Sequence, residues 1–508
     1  MLTFFTKNKV VIRAREAHCI SRANIDADAL KVLYRLANTG HFAYLVGGSV
    51  RDLLLGRTPK DFDIGTDARP NDIRRLFRNC FLIGRRFRLA HIVFGRKIIE
   101  TSTFRRQPDE SESESGVYQT DDNTFGTPEE DAKRRDFTVN GLFYDIKTFS
   151  VIDYVGGLKD LEKRVLRCIG DPNVRFREDP VRMMRAVKFA ARLGFEIDRA
   201  SRKAILKHHA DVLNASVPRV CEEIYRLFTY QSSCGAFKLL WELKLLQDLL
   251  PDVDDFIRQT DGAKSPLWKY LAALDAAPNE AEITNGVRTA CLYYPLFLEQ
   301  LRREESHAPH GRVNRQHVAR AVLHPLAERL HVPKATLFAA VTLLDAHRRL
   351  AESPKKGRGH RFVYHPAFPE VLAFQRILLA AEGGDPAACN EWQALFDQEA
   401  ARNAQPAGTE GFPDEAVEAR DAEPLEGRKR RRRRRKPRPN ERPAEHPQHS
   451  EHPHHSEHPH QPEHPRQPEH SRQPEHSRQP RAAHHAEGVT VTEVPPPSAD
   501  SDHPGACE

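Results

Sequence analysis

Residues 45–66 read LVGGSVRDLLLGRTPKDFDIGT, and no other stretch restricts the fold so much. An apolar run stops at a Gly-Gly-Ser bend, a short amphipathic segment follows, and a second extended run opens with Asp61, Phe62 and Asp63. Strand, bend, helix and strand in so short a span point to an α/β domain. Residues two apart on a strand share a face, so Asp61 and Asp63 project together and Phe62 turns into the core. Two carboxylates so close repel one another unless a cation sits between them. Mg²⁺ prefers one or two carboxylates plus phosphate oxygens. A pair of such ions, about 3.5–4 Å apart, stabilises the attacking and leaving oxygens of phosphoryl transfer. That arrangement needs a third carboxylate, and Glu100 in KIIETSTF is the candidate, since a neighbouring strand would bring it alongside. The bend supplies the other half. Gly48 lets a phosphate approach the backbone closely, and the helix start offers unpaired N–H groups. Ser49 can donate a hydrogen bond and Arg51 can reach a phosphate oxygen. The plain alternative is a strand–turn–helix–strand unit with surface charge; either motif alone leaves it standing, and their combination at this spacing weighs against it.

The rest of the chain divides by pattern. DADALKVLYRLANT, residues 26–39, predicts a helix capped by Asp26, with Leu30, Leu33 and Leu36 near one face. FAYLVGG, DFDIGT, HIVFG, KIIETSTF and VNGLFYDI predict strands of a mixed sheet in a domain ending near residue 168. Residues 105–131, RRQPDESESESGVYQTDDNTFGTPEED, predict a long, mobile acidic loop. From Glu178 the spacing turns helical. EDPVRMMRAVKFAARLGF, with Pro180 in its first turn and Gly194 at its end, predicts a well-punctuated helix. Further helical segments run through AILKHHADVL, RVCEEIYRLFTY, GAFKLLWELKLLQDLL, PLWKYLAALDAA, TLFAAVTLLDAHRRLA and HPAFPEVLAFQRILLAAE to about residue 400. The boundaries expected are an N-terminal extension over 1–25, an α/β domain over 26–168, helical regions over 169–235 and 236–400 and a disordered basic tail over 401–508.

Composition sharpens the tail. The formal net charge of the 508 residues is +7, yet RKRRRRRRK at 428–436 alone carries nine cations, leaving 7 − 9 = −2 for the rest. A polyanion is the natural partner for such a run. A Glu-His dipeptide then recurs from 445 to 475 with a period of six among prolines and serines, which cannot build a core. The eight cysteines include no C-x-x-C pair, which argues against a disulfide framework and for a reducing compartment. No apolar run approaches the roughly 20 residues that span a bilayer, and the start of the chain lacks a secretory signal's features. The expectation is a cytoplasmic protein with no membrane partner.

These motifs together resemble the nucleotidyltransferases of the polymerase-β superfamily, in the branch holding bacterial poly(A) polymerases and CCA-adding enzymes, over roughly residues 18–400. LVGGSVRDLLLGRTPKDFDIGT is similar to that family's metal and triphosphate motif, RRDFTVNGLFYD (134–145) to its ribose motif, DYVGGLKDLEKRVLR to its hinge and EDPVRMMRAVKFAARLGF to its base-reading helix. Gly141 departs from it, where many relatives carry alanine. The resemblance implies an α/β nucleotidyltransferase head with a mixed sheet, then an all-α neck and body. It implies that Asp61 and Asp63 hold two Mg²⁺ ions with Glu100 as the third catalytic carboxylate. Gly48, Ser49, Arg51, Arg135 and Arg185 would hold the nucleotide, with Asp136 on the ribose hydroxyl. Asp179 and Arg182 would read the base. Adenine and cytosine both show an exocyclic amine beside a ring-nitrogen acceptor, which a carboxylate and a guanidinium match. Arg182, Arg185 and Arg192 share a helical face with Lys188 near it; a solvated stripe is the plain alternative.

LIGRRFRLAHI (82–92) resembles the signature of bacterial poly(A) polymerases, and CCA-adding enzymes usually differ here. Arg85, Arg86 and Arg88 flank Phe87, and cations with an aromatic can hold a single-stranded RNA end. A charged loop is the bland alternative. The expected activity is template-independent addition of AMP from ATP to RNA 3′ ends, of mRNA and also of tRNA and small RNAs, with release of pyrophosphate. CCA addition, or RNA binding on a dead scaffold, are the competing expectations.

Overall fold

The computed structural model describes residues 10–84, 88–107, 125–278, 283–307, 313–354 and 360–404. Arg85, Arg86, most of the 105–131 loop and the basic tail lie outside them.

An eight-stranded mixed sheet organises the first part of the chain. Its elements are β1 (Val11–Arg13), α1 (Ala27–Asn38), β2 (Ala43–Val46), α2 (Gly48–Leu54), β3 (Ile64–Thr66), α3 (Pro70–Leu76), β4 (Cys80–Ile83), β5 (Leu89–Phe94), β6 (Lys97–Thr103), α4 (Pro128–Lys133), β7 (Leu142–Asp145) and β8 (Val151–Asp153). The spatial order is β1-β8-β7-β2-β3-β6-β5-β4; β3 and β6 run parallel and every other pair is antiparallel. Helix α1 starts where the Asp26 carboxylate accepts from the N–H groups of Asp28 and Ala29, satisfying donors that a helix start leaves orphaned. Its Val32, Leu33 and Leu36 are buried in the main core, with Leu30 packed at the edge.

The sheet's two faces differ. One face buries Leu45, Ile64, Ile92 and Ile99 in the main core. On the other, a smaller core of Tyr44, Val46, Phe104, Phe143 and Ile152 covers only the half built on β2, β7 and β8.

Several expected strands shift. β3 begins at Ile64, so Asp61 and Asp63 occupy an extended lead-in rather than the strand itself. Pairing persists one residue upstream, where the Val46 N–H donates to the Asp63 carbonyl. Val139 and Asn140 form a 3₁₀ turn before β7. The acidic loop is shorter than expected: Arg105 bridges Phe125, and a capping box between Thr127 and Glu130 launches α4.

Beyond the sheet come α5 (Gly157–Glu162), β9 (Val165–Leu166), α6 (Pro172–Glu178), α7 (Val181–Leu193) and β10 (Glu196–Ile197). Helices α8 (Arg199–His208), α9 (Val217–Leu227), α10 (Ser233–Glu242), α11 (Leu245–Leu249), α12 (Pro251–Gln259), α13 (Leu267–Asp275) and α14 (Asn285–His307) follow, then α15 (Arg315–Leu330), α16 (Lys334–Ala346), α17 (Phe368–Glu382) and α18 (Ala387–Ala404). GAFKLLWELKLLQDLL breaks into α10 and α11 because Lys244 turns left-handed, at φ 64°, while Leu243, Leu245 and Leu246 on either side stay buried. Residues 209–214 of AILKHHADVL and its continuation tighten into 3₁₀ geometry. Among the described residues no helix is long and apolar enough to cross a membrane.

Candidate active site

The end of β2, the lead-in to β3, the segment before β7 and the helices α7 and α9 enclose a cleft of about 470 Å³. It gathers Gly48, Ser49, Arg51, Asp61, Asp63, Arg135, Asp136, Asp179, Arg182 and Arg185 from four separate sequence segments. A larger cleft of about 650 Å³ adjoins it at Lys60 and Asp61; it has neither the glycine bend nor the arginines, so we assign the chemistry to the smaller one.

Gly47 sits at φ 70°, and a Cβ there would meet Arg135 Nη1 at 2.8 Å. The bend therefore needs glycine both for its backbone angle and for the guanidinium beside it. Ser49 and Arg51 depart from expectation. The Ser49 hydroxyl is buried and donates to the Val46 carbonyl at 3.1 Å. Arg51 is almost wholly buried; its Nε and Nη2 donate to Asp52 at 2.8 and 2.7 Å, and its Nη1 to Asn140 at 2.5 Å. Both side chains brace the bend from behind, because an unpaired cation or hydroxyl at that depth is costly.

Asp61 and Asp63 both line the cleft. Phe62 packs against the main core, which turns Asp61 and Asp63 to the opposite side. Asp63 is open to solvent along the cleft, yet crowding by the surrounding protein first, then the charge of Glu100 and, more weakly, Asp61, push its carboxyl up to about 6, against the pull of Arg135. Glu100 lies on β6, half exposed, with its Oε1 3.7 Å from His91 Nε2. Among the described residues no three acidic, histidine or cysteine side chains close into a ready-made metal cage. A carboxylate pair short of positive charge instead fits a cation that completes its coordination with phosphate oxygens and water.

The arginine stripe on α7 is not a solvated face. Arg185 Nε and Nη2 donate to Asp136 at 2.8 and 2.6 Å. Burial pushes the Asp136 carboxyl up, but the Arg185 guanidinium and bonds from Asn140 and the Phe137 N–H outweigh it and hold it down at about 2. Lys188 donates to buried Glu223 at 2.6 Å, and Arg192 to Asp52 at 2.8 Å. Asp179 and Arg182 line the cleft; the Arg182 backbone N–H donates to the Asp179 carbonyl at 3.0 Å, but their side chains do not pair. Asp179 Oδ2 accepts from Arg219 at 2.9 Å while its buried Oδ1 has no partner; Arg182 donates to the Arg175 carbonyl and to Glu178. Arg135 is held by Asp131 at 2.8 Å. Arg88 is exposed at the start of β5, away from the cleft.

Sequence reasoning passed over Asp52, Asp131, Asn140, Arg219 and Glu223, which hold the named residues in place. Asp131 had a signal, three and four residues before Arg134 and Arg135 on a helix. Asp52 and Asn140 each have one partner close in sequence, Arg51 and Asp136, but their links to Arg192 and Arg51, like those of Arg219 and Glu223 to Asp179 and Lys188, are made only by the fold.

A glycine bend facing paired carboxylates on a mixed sheet, walled by arginine-bearing helices, defines a nucleotidyltransferase. Known proteins narrow the class. Residues 43–167 match the family model of the Poly A polymerase head domain, and residues 194–257 match the one described as "Probable RNA and SrmB- binding site of polymerase A". The chain is 39% identical over 391 residues to poly(A) polymerase I of Escherichia coli, covering 74% of this chain and 82% of that protein. It is 38% identical over 264 residues to a CCA-adding enzyme of Lactobacillus helveticus, covering 50% and 64%. The CCA-adding enzyme of Bacillus stearothermophilus in complex with CTP superposes with a TM-score of 0.55 at 26% identity, over 75% of this chain and 88% of that one. The chain belongs to the poly(A) polymerase family.

Proposed function

We propose that this chain is a template-independent polynucleotide adenylyltransferase that adds AMP from ATP to RNA 3′ ends and releases pyrophosphate. The observation that carries this is the single cleft holding both the Gly47–Ser49 bend and the Asp61/Asp63 pair, beside the long match to a poly(A) polymerase rather than the shorter match to a CCA-adding enzyme. The triphosphate lies against the backbone of Gly48 and Ser49, whose N–H groups in the first turn of α2 have no intrahelical partners. Arg51 and Ser49 fix the shape of that bend. Asp136 and Arg185 meet the ribose, and Arg135 the nucleotide's charge. The unpaired Asp179 Oδ1 accepts from the exocyclic amine of adenine, with Arg182 donating to the neighbouring ring nitrogen. Asp61 and Asp63 would hold two Mg²⁺ ions, which would supply positive charge to offset that developing on the attacking and leaving oxygens. Glu100 tunes Asp63 from β6 and is the third carboxylate.

Residues 26–168 form the catalytic head, 169–235 the neck and 236–400 the RNA-binding body, with 1–25 leading into the head. Arg85, Arg86 and Arg88 and the 401–508 tail add affinity for RNA. The substrates are mRNA 3′ ends, with tRNA and small RNAs as further acceptors, in the cytoplasm.

The test uses purified protein, Mg²⁺ and a generic RNA with ATP or CTP alone. A long A ladder that vanishes in Asp63→Ala, with the circular dichroism unchanged, is the expected result. CTP incorporation into trimmed tRNA in place of the ladder supports CCA addition. Normal AMP incorporation by Asp63→Ala overturns the site.

A further inference from the structure

The nucleotide cleft lies over β7, β2 and the lead-in to β3, and its carboxylates stand at its edge. In phosphoryl transfer the attacking and leaving oxygens lie roughly in line. With the triphosphate on the β2 side, the acceptor's 3′-hydroxyl must arrive from the opposite side of Asp61 and Asp63, over β6, β5 and β4.

On that side, among the described residues, the second core does not cover the sheet. The register makes Glu100, His91 and Phe81 direct cross-strand partners, and Asp63 precedes the residue paired with Thr101. Asp63, Glu100, His91 and Phe81 therefore form one row on one face of the sheet. Their strand neighbours Cys80, Ile92, Ile99 and Ile64 all face the main core instead. Beside this row stand Ile83 and Ile98. Phe81, Ile83 and Ile98 are 62%, 50% and 49% exposed, on a face that the second core leaves uncovered. At about 4.8 Å per strand, Phe81 lies about 10 Å from Glu100, within reach of the last few nucleotides of a chain whose terminus sits at the carboxylates.

We propose that the β4–β5–β6 face is the acceptor subsite, where bases at the 3′ end of single-stranded RNA stack on Phe81 in line with His91 and Glu100. The proposal rests on the adenylyltransferase function above. An aromatic platform accepts any base, because every base has a π-face; that suits an acceptor whose end changes from arbitrary sequence to adenosine as the tail grows.

The experiment compares full-length wild type with Phe81→Leu and Phe81→Trp. Binding of a 5′-labelled oligoadenylate is followed by fluorescence anisotropy without ATP, alongside KM for ATP and for the acceptor. Phe81→Leu, which keeps apolar surface but removes the ring, is expected to weaken oligoadenylate binding by between about 5-fold and 150-fold. It should raise the acceptor KM in step and leave the ATP KM within 2-fold of wild type by the same reasoning. Phe81→Trp should restore binding. Unchanged oligoadenylate affinity in Phe81→Leu overturns the proposal. So does an equal rise in both KM values, or a change in oligomeric mass by light scattering with RNA affinity intact, which would give the face to a second copy of the chain. If wild type fails to incorporate AMP, the enzymatic function falls, while the ATP-free binding comparison still decides whether the face holds RNA.

Discussion

Asp136→Asn removes one charge from the middle of the cleft and keeps the side chain's shape. The wild-type carboxylate accepts four hydrogen bonds: two from Arg185, one from Asn140 Nδ2 at 3.0 Å and one from the Phe137 N–H at 2.8 Å. Asparagine leaves half-buried Arg185 beside a neutral amide, with Glu223 3.7 Å away as its remaining counter-ion. The carboxyl is held from the ordinary 3.8 down to about 2, which corresponds to about 2–3 kcal/mol of stability at pH 7. Breaking a fully buried pair from one side costs about 3–5 kcal/mol, an upper bound here because Arg185 keeps 30% of its side chain in contact with water. The expected loss therefore lies at about 2–4 kcal/mol, a urea midpoint shift on the order of 1 M. Because the folded value is depressed, the contribution is fully present above the unfolded value of 3.8 and drains away as pH falls through about 2. Urea denaturation by circular dichroism at pH 7, 5 and 3 checks both parts. The gap between wild type and Asp136→Asn should be equal at pH 7 and 5 and begin to close at pH 3. A gap below about 1 kcal/mol at pH 7, or one that collapses between pH 7 and 5, would refute the buried-pair account.

A Cβ on Gly141 would fall 2.6 Å from Val155 Cγ2, so Gly141→Ala should destabilise by about 1–3 kcal/mol and Val155→Ala in the same chain should recover most of it in thermal denaturation. Gly157→Ala places a Cβ 2.2 Å from the Thr138 carbonyl oxygen, an immovable backbone neighbour, and should reduce soluble expression more sharply than Gly141→Ala. Asp131→Asn loosens both Arg134 and Arg135; a several-fold rise in the ATP KM in steady-state kinetics is expected. Deleting 401–508, with its nine-cation run, should weaken RNA binding and flatten its salt dependence by about 0.7 per contacted phosphate in a log–log titration.

Local signals explain what was legible. Asp26 caps α1 through N–H groups two and three residues away, so its role is written in the adjacent sequence. The apolar FAYLVGG run and the glycine bend are local in the same sense. β1 and β4 escaped notice because each is a short strand at an edge of the sheet, with too few residues to show a period. At the site, helical spacing placed Arg182, Arg185, Lys188 and Arg192 on one side of α7 but said nothing of what stood opposite. Glu223 and Asp52 stand there, 35 and 140 residues from their partners, and they turn a stripe open to water into a buried network. Arg51 illustrates the same gap: beside a phosphate motif it reads as a ligand, whereas the fold spends its guanidinium on Asp52 and Asn140.

Asp52 binds Arg51 of the glycine-bend helix through one oxygen and Arg192 of α7 through the other. The floor and the far wall of the cleft are thus tied through one side chain, out of reach of solvent ions. Swinging those walls apart at this point would strand two guanidiniums at once, so any widening of the aperture must either break both pairs or bend the chain somewhere other than at Asp52.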